Sequence, residues 1–233
     1  MNILITFAIV LNQALTLTEE NYLKAMYLLA NKDDEVSLSD LSKKLEVSSP
    51  TANSMVKNMH QKELVRYEKY KPILITKMGK LKAAYVIRKH RLTEMYLVEK
   101  MGFGWEEVHH IAEQVEHIKA PVFFDKMDEI LGYPKVDPHG SPIPDKDGKV
   151  NAQFFQPLSN CRIGQIVKLE SLKNSETEFL NFLNSKEIEL GIEIEIHQIE
   201  SFDKSMEVSY GNRKKEVISN LVSERLLVNI IEK

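Results

Sequence analysis

LSKKLEVSSPTANSMVKNM, residues 41–59, carries two helix signals separated by a tight connection. Ser37 to Leu45 reads as a short amphipathic helix with Leu38, Leu41 and Leu45 as its apolar positions. Glu46-Val47-Ser48 forms the connection. Ser49-Pro50 opens the second helix, because a proline in the first turn gives up an N–H that has no partner there. From Pro50 to about Lys62, Ala52, Met55, Val56 and Met59 recur on one face, the spacing of an amphipathic helix.

The flanks complete the unit. Upstream, Thr18 is the expected N-cap of a helix with Glu19 and Glu20 in its first turn, continued by Tyr22, Leu23, Met26, Tyr27, Leu29 and Ala30. Downstream, Leu64–Glu68 and Pro72–Thr76 read as two strands around Lys69-Tyr70-Lys71. Helix, helix, turn, helix and hairpin is the winged helix-turn-helix pattern. Charge agrees. Between Lys57 and Arg91 stand eleven basic residues against Glu63 and Glu68, a local charge of +9 on a chain whose net charge is −3. A basic stripe on an otherwise acidic protein suits a phosphate backbone; a solvated Lys-rich face on a protein-interaction module is the alternative. Ser48, Ser49, Pro50, Thr51, Asn53 and Ser54 occupy the first turns of the recognition helix, where side chains reach base edges and phosphates. Asn53 and Ser54 suit base edges, Pro50 a thymine methyl, and Lys57 a phosphate or guanine, with Lys69 and Lys71 in the wing.

The 233 residues, 43% hydrophobic and 28% charged, accommodate one large domain or two to three small ones around real cores. A single cysteine, Cys161, excludes an internal disulfide framework and a cysteine-based zinc finger, and it fits a reducing cytoplasm as a small buried residue. Met1–Leu11 is apolar but lacks a basic leader and is too short to span a bilayer as a helix. A packed N-terminal element, an unused upstream start and a poor signal sequence all stay open for it. No membrane span is expected elsewhere.

After Gly79 a long helix is expected from Lys80 to about Met101, a second from Glu106 to Lys119 and a third from Val122 to Leu131. Within the second, His109, Glu113, Glu116 and His117 fall at i, i+4, i+7 and i+8, one helical face. His90 and Glu94 form an i, i+4 pair on the helix before it. Antiparallel packing would let these imidazoles and carboxylates converge on a metal; a solvated acidic face with ordinary surface histidines is the alternative. The apolar surface of these helices exceeds what a small winged helix covers, which predicts a symmetric dimer reading a palindromic site.

Asp137–Gly148 (DPHGSPIPDKDG) is rich in Pro and Gly and reads as a loop or linker, with His139 expected to be exposed. Beyond it come short alternating runs, Cys161–Leu169, Ile192–Ile199, Met206–Tyr210 and Leu226–Ile230, with a helical turn at Glu178–Asn184. This pattern suggests a compact barrel.

Residues from about Leu17 to Pro144 resemble the diphtheria toxin repressor family of metal-dependent transcriptional regulators, through TEENYLKAMYLL, LSKKLEVSSPTANSMVKNM, RKHRLTEMYL, EQVEHI and DPHGSPIP. RKHRL followed some 23 residues later by ExxEH is the specific combination. The resemblance implies a primary, activating metal site at Asn21, Glu113, Glu116 and His117, an ancillary site at His90, Glu94 and His109, and an anion-site residue at Arg91. It also implies an SH3-like, FeoA-like C-terminal domain that could donate ligands from Glu176, with Phe179 at the partner position unable to ligate and Glu178 as a substitute. Three departures stand out. Glu113 replaces the Cys of iron-type repressors, so the donors are oxygen and imidazole, suited to Mn(II) or Fe(II). Asn21 is neutral where manganese-type members carry Asp. Lys24 replaces an acidic residue of the compact manganese regulators, against their closely spaced two-metal arrangement.

The fold class expected is therefore mainly α with a C-terminal β part: a winged helix-turn-helix over 1–78, a helical metal-binding and dimerisation domain over 79–144, a linker over 145–155 and the SH3-like barrel over 156–233. The function expected is a cytoplasmic, homodimeric, metal-dependent repressor that senses Mn(II) or Fe(II), binds double-stranded DNA and controls metal-homeostasis genes such as uptake transporters. One rival is a winged-helix regulator with structural metals or another effector. A remoter rival is a metalloenzyme built on the His/Glu clusters, but no HExxH occurs and the basic winged helix would be unexplained.

Overall fold

A computed structural model describes residues 15–151 and 154–232; the reading of Met1–Leu11 lies outside the described residues. The chain divides into two compact units. One runs up to His90 and includes Glu113–Phe124 and Pro144–Val150; the other holds Arg91–Ala112, Asp125–Ile143 and the chain from Asn151 onward.

The first unit is built on helices α1 (Leu17–Leu29), α2 (Leu38–Lys44) and α3 (Ser49–Gln61), with strand β1 (Glu35–Val36) between α1 and α2. Strands β2 (Val65–Arg66) and β3 (Ile73–Ile75) follow α3, and the sheet order is β1-β3-β2, antiparallel throughout. Each helix starts where a side chain satisfies its free N–H groups. The cap of α1 is Thr16, not Thr18: Thr16 accepts from the Glu19 N–H and Glu19 reaches back to the Thr16 N–H, a capping box. Ser37 caps α2 and Ser48 caps α3, with Pro50 in the first turn as expected. Leu23, Met26, Leu41, Ala52, Val56, Met59, Leu64 and Ile73 form one core that joins α1 to the helix-turn-helix and the wing. Strand β1 was not anticipated from the sequence, because two residues are too few to alternate.

Helix α4 (Lys77–Met101) begins three residues earlier than expected. Thr76, rather than Gly79, sets its start: the Thr76 hydroxyl accepts from the Gly79 N–H at 3.0 Å. Gly79 serves close packing, since a Cβ there would lie 2.1 Å from the Leu64 carbonyl oxygen. Helix α5 (His109–Val115) is much shorter than the expected 106–119, and α6 (Pro121–Ile130) follows.

In the second unit the C-terminal sheet comprises β4 (Gln156–Pro157), β5 (Ile166–Leu172), β6 (Glu193–Ile199), β7 (Met206–Tyr210), β8 (Arg213–Ile218) and β9 (Leu226–Glu232). Helices α7 (Thr177–Ser185) and α8 (Asn220–Ser223) sit between strands in the chain. Leu158, Val167, Leu169, Leu180, Leu183, Ile194, Ile196, Val208 and Val228 fill its core, and Cys161 is buried with them. The α-plus-C-terminal-β class is as expected. The closed barrel is not: the order β4-β9-β5-β6-β7-β8 leaves β4 and β8 as edges, with no pairing between them among the described residues.

Candidate metal centre and nucleic-acid interface

On α3, Ser48 accepts from the Thr51 N–H and lies 2.8 Å from the Thr51 hydroxyl, so these two side chains hold the helix start in shape. Ser49, Pro50, Thr51, Ser54 and Lys57 are exposed. Asn53 is half-buried, because the Tyr67 hydroxyl donates to its Oδ1 at 2.6 Å. Lys69 lies over the Tyr70 ring and Lys71 pairs with Glu68, both on the exposed wing. Ser49, Pro50, Asn53, Lys57, Lys69 and Lys71 line one surface groove, which brings together the recognition-helix and wing positions expected to meet DNA.

The His109–His117 stretch does not present one helical face. Helix α5 ends at Val115, and Glu116 and His117 lie in the turn after it. His117 Nδ1 donates to Glu20 on α1 at 2.6 Å, which leaves Nε2 as the lone-pair nitrogen, 3.7 Å from Glu116 Oε1. Glu116 is fully buried. Lys24 of α1 donates to both its oxygens at 2.9 Å and lies 3.7 Å from Glu113. His90 Nδ1 is 2.6 Å from Glu116 Oε2 and 3.5 Å from Lys24 Nζ, so the shorter contact assigns its proton to the bond with Glu116. Burial opposes a charge on Glu116, yet His90 and Lys24 together hold its carboxyl below the ordinary value. Asn21 is exposed on α1; the residue of α1 that meets His117 is its neighbour Glu20.

A second cluster lies around Glu94. His109 Nδ1 is 3.2 Å from Glu94 Oε1, and His139 Nδ1 is 3.8 Å from Glu94 Oε2. His139 is buried, not exposed as its place in a Pro/Gly-rich loop suggested. Asp137 closes that loop by accepting from the His139 and Ser141 N–H groups at 2.9 Å each, and Gly140 (φ +82°) lies so close to the next chain that a Cβ would sit 2.3 Å from the Glu170 carbonyl oxygen. His139 Nε2 donates to the Trp105 carbonyl at 2.9 Å and its ring stacks on Trp105. Its Nδ1 lone pair therefore faces the two carboxylates. Glu94, Asp137 and His139 offer ligand atoms all within 4.8 Å of one another, and all three are buried. Burial pushes the Asp137 carboxyl up, and the charge of Glu94 adds to the push against Arg91. Two buried carboxylates facing an imidazole nitrogen form a donor set that fits a hard divalent cation.

Arg91 is engaged within the protein: Nε pairs with Asp137 at 3.3 Å and Nη1 donates to the Pro142 carbonyl at 2.5 Å. His90 stands one helical turn before Glu94 on α4. Glu176 is exposed and pairs with Arg225 at 3.3 Å; Glu178 is exposed on α7. Asp137, His139, Glu20 and Trp105 were not singled out as site residues from the sequence.

Two family models divide the N-terminal part of the chain between them. Residues 14–73 match the iron dependent repressor N-terminal DNA binding domain, and residues 76–145 match the iron dependent repressor metal binding and dimerisation domain. The chain belongs to the diphtheria toxin repressor family. It is 34% identical over 127 residues to the iron-dependent repressor IdeR of Mycobacterium leprae, a match covering 54% of this chain and 55% of that protein. The chain thus spans about half the length of that curated relative. It is 28% identical over 214 residues to the diphtheria toxin repressor of Corynebacterium diphtheriae, covering 88% of this chain and 93% of the relative. A manganese-dependent transcriptional repressor solved in complex with manganese superposes with a TM-score of 0.82 at 26% identity, over 91% of this chain and 100% of the other. Membership of this family places the winged helix-turn-helix in the first matched region, and the Glu116 and Glu94 clusters draw most of their residues from the second.

Proposed function

We propose that this chain is a metal-dependent DNA-binding repressor that responds to Mn(II) or Fe(II) and acts as a dimer on a palindromic operator. The observation that carries the reading is the anchorage of the Glu116–His117 turn on α1. Glu20 and Lys24 hold that turn from one side of α1, while Tyr22, Leu23 and Met26 of the same helix lie in the core that supports α3. Any change in how the turn is held is thus passed to the recognition helix through packed side chains, which do not deform continuously.

Glu113, Glu116 and the Nε2 of His117 are the donors proposed for the primary site, with Asn21 as the α1 donor the family position implies. Glu94, Asp137, His139 and His109 are proposed for a second site, with His90 one turn away. A divalent ion, when bound, supplies positive charge shared between carboxylates that otherwise repel. The residues of the chain do the rest: Glu20 fixes the His117 tautomer, the Trp105 carbonyl fixes that of His139, and α1 carries the restraint to α3. The result is a shift between conformations already accessible, so operator and metal tighten each other's binding by the same factor. Arg91 is held by Asp137 and the Pro142 carbonyl and is the residue proposed for the anion site that its family position implies. Ser48–Ser54, Lys57, Lys69 and Lys71 are proposed as the DNA-contacting set. The chain is proposed to act without catalysis.

Exposed Leu17, Ile118, Val122 and Phe123 favour a self-complementary apolar contact between two copies. Among the described residues no helix is long and apolar enough to cross a membrane, and a cytoplasmic site of action fits a DNA partner. The division proposed is a DNA-binding domain over 1–78, a metal-binding and dimerisation domain over 79–144, a linker over 145–155 and a FeoA-like domain over 156–233; Glu176 and Glu178 of the last remain candidate donors.

One observation favours a second reading, a winged-helix regulator with another effector: Lys24 already places a cation against Glu116. Anaerobic selection of genomic fragments by the purified protein separates the two. Enrichment of a palindrome only with Mn(II) or Fe(II), and not with Zn(II) or chelator, is expected. Equal enrichment in chelator would favour the other effector.

A further inference from the structure

Lys24 stands one helical turn beyond Glu20 on α1, and its ammonium takes both oxygens of Glu116 at 2.9 Å with Glu113 3.7 Å away. The Glu116 side chain is 0% exposed and that of Lys24 is 14% exposed. A carboxylate removed from water needs a compensating cation, and here the chain supplies one itself. His90 adds a hydrogen bond to one of the same oxygens, so both have partners within the chain.

Those oxygens are also the ones on which a metal response would depend. The Lys24 ammonium on both oxygens and His90 on one take three of the about four acceptor positions of the Glu116 carboxylate, and two cations a few ångströms apart in a buried place repel strongly. The positions around Lys24 give it room to leave: its stem is flexible, its head group is slightly exposed, and Glu113, half in solvent, offers it a partner nearer the surface.

We infer that Lys24 is a built-in competitor for the metal. It holds Glu116 in the metal-free protein, and a divalent ion gains that carboxylate only as the ammonium withdraws. Lys24 therefore raises the metal concentration at which the protein responds, and it stabilises the metal-free fold that waits for the signal. This rests on the reading of Glu113, Glu116 and His117 as metal donors, and the test separates the two claims.

The experiment is a Mn(II) titration of the full chain, followed by the electron-paramagnetic signal of free Mn(II), together with thermal melts in chelator and in Mn(II). Wild type is compared with Lys24→Gln, Lys24→Arg and Glu116→Gln. Lys24→Gln is expected to bind Mn(II) at least about tenfold more tightly, to melt lower than wild type in chelator, and to gain more from Mn(II), as ligand linkage requires. Lys24→Arg keeps the charge and is expected to bind Mn(II) no more tightly than wild type. Equal or weaker Mn(II) binding by Lys24→Gln would overturn the inference. Should that variant unfold with and without Mn(II), Lys24→Arg decides: tighter binding than wild type overturns the inference, and equal or weaker binding supports it. Glu116→Gln tests the underlying site. If it keeps wild-type Mn(II) affinity and stoichiometry, the site reading fails whatever Lys24 does; if it loses them while Lys24→Gln gains nothing, the site stands and the competitor role falls.

Discussion

The Tyr67 hydroxyl donates to Asn53 Oδ1 at 2.6 Å, tying the foot of the wing to the recognition helix. The bond uses the acceptor end of the amide and leaves its NH2 group as the free end of a residue that lines the groove. Asn53 thereby becomes a fixed donor, suited to an acceptor base edge such as guanine O6 or N7 or thymine O4. Asn53→Ala is expected to cost about 1–3 kcal/mol on the selected operator and little on variants at one base pair. Tyr67→Phe frees the amide to turn and is expected to flatten discrimination at that same base pair. Fluorescence anisotropy over a set of single-base operator variants measures both. A uniform loss across all variants would reduce Tyr67 to a packing role.

Lys69→Ala and Lys71→Ala should behave differently. Each removes a backbone charge, so each is expected to weaken every sequence alike and to reduce the slope of log affinity against log salt by about 1. Unchanged slopes would remove the wing from the DNA interface.

The start of α1 gives a stability test. Thr16→Ala removes the hydroxyl that accepts from the Glu19 N–H, one half of the capping box, and is expected to lower unfolding free energy by about 1 kcal/mol in urea titrations. Thr18→Ala, at an exposed position inside the helix, is expected to change it by less than about 0.5 kcal/mol. The reverse order would restore Thr18 as the cap.

Local signals explain what was readable before the structure. The helix-turn-helix was legible because Ser48, Ser49-Pro50 and the Ala52–Val56–Met59 face agree on one answer within a few residues. Thr16 was passed over for Thr18 because each is followed by acids at helix-compatible spacing, and only the backbone distinguishes them. The Glu116–His117 turn carries the spacing of a helix, so the sequence predicts one; its long-range bonds to Glu20, Lys24 and His90 leave no mark on that spacing. His139 was misplaced for the same kind of reason. Its burial depends on the Asp137 loop bonds, on Trp105 far away in the chain, and on the close approach of Gly140 to the backbone at Glu170. The barrel expectation came from counting strands, and closure is a property of pairing that a count does not contain.

The second cluster carries its own test. His139→Ala is expected to remove about one Mn(II) equivalent per chain while leaving the response of the Glu116 site in place, because the imidazole is proposed as a principal donor of the Glu94–Asp137–His139 set. Full stoichiometry in that variant would make His139 a packing residue held by Trp105.

The C-terminal unit should show a defined acid response. Arg213 at 2.8 Å and Lys186 at 3.0 Å hold the Glu216 carboxyl below its ordinary value of 4.5. A lowered carboxylate contributes stability that is present above 4.5 and is lost as pH falls through the folded value. Glu216→Gln is therefore expected to melt below wild type at neutral pH, with the gap closing as pH drops under 4.5. A gap that stays constant across that range would show the pair to be inert.

The most direct test is the affinity of the wild-type and His117→Ala proteins for one selected palindromic duplex, read by anisotropy in chelator and in saturating Mn(II). Wild type is expected to bind about 5- to 150-fold more tightly with Mn(II), the usual size of such coupling. His117→Ala should fold normally and bind with the same weak affinity in both conditions. A His117→Ala protein that keeps the full Mn(II)-dependent gain would contradict the account, because the signal would then reach the recognition helix without the Glu116–His117 turn.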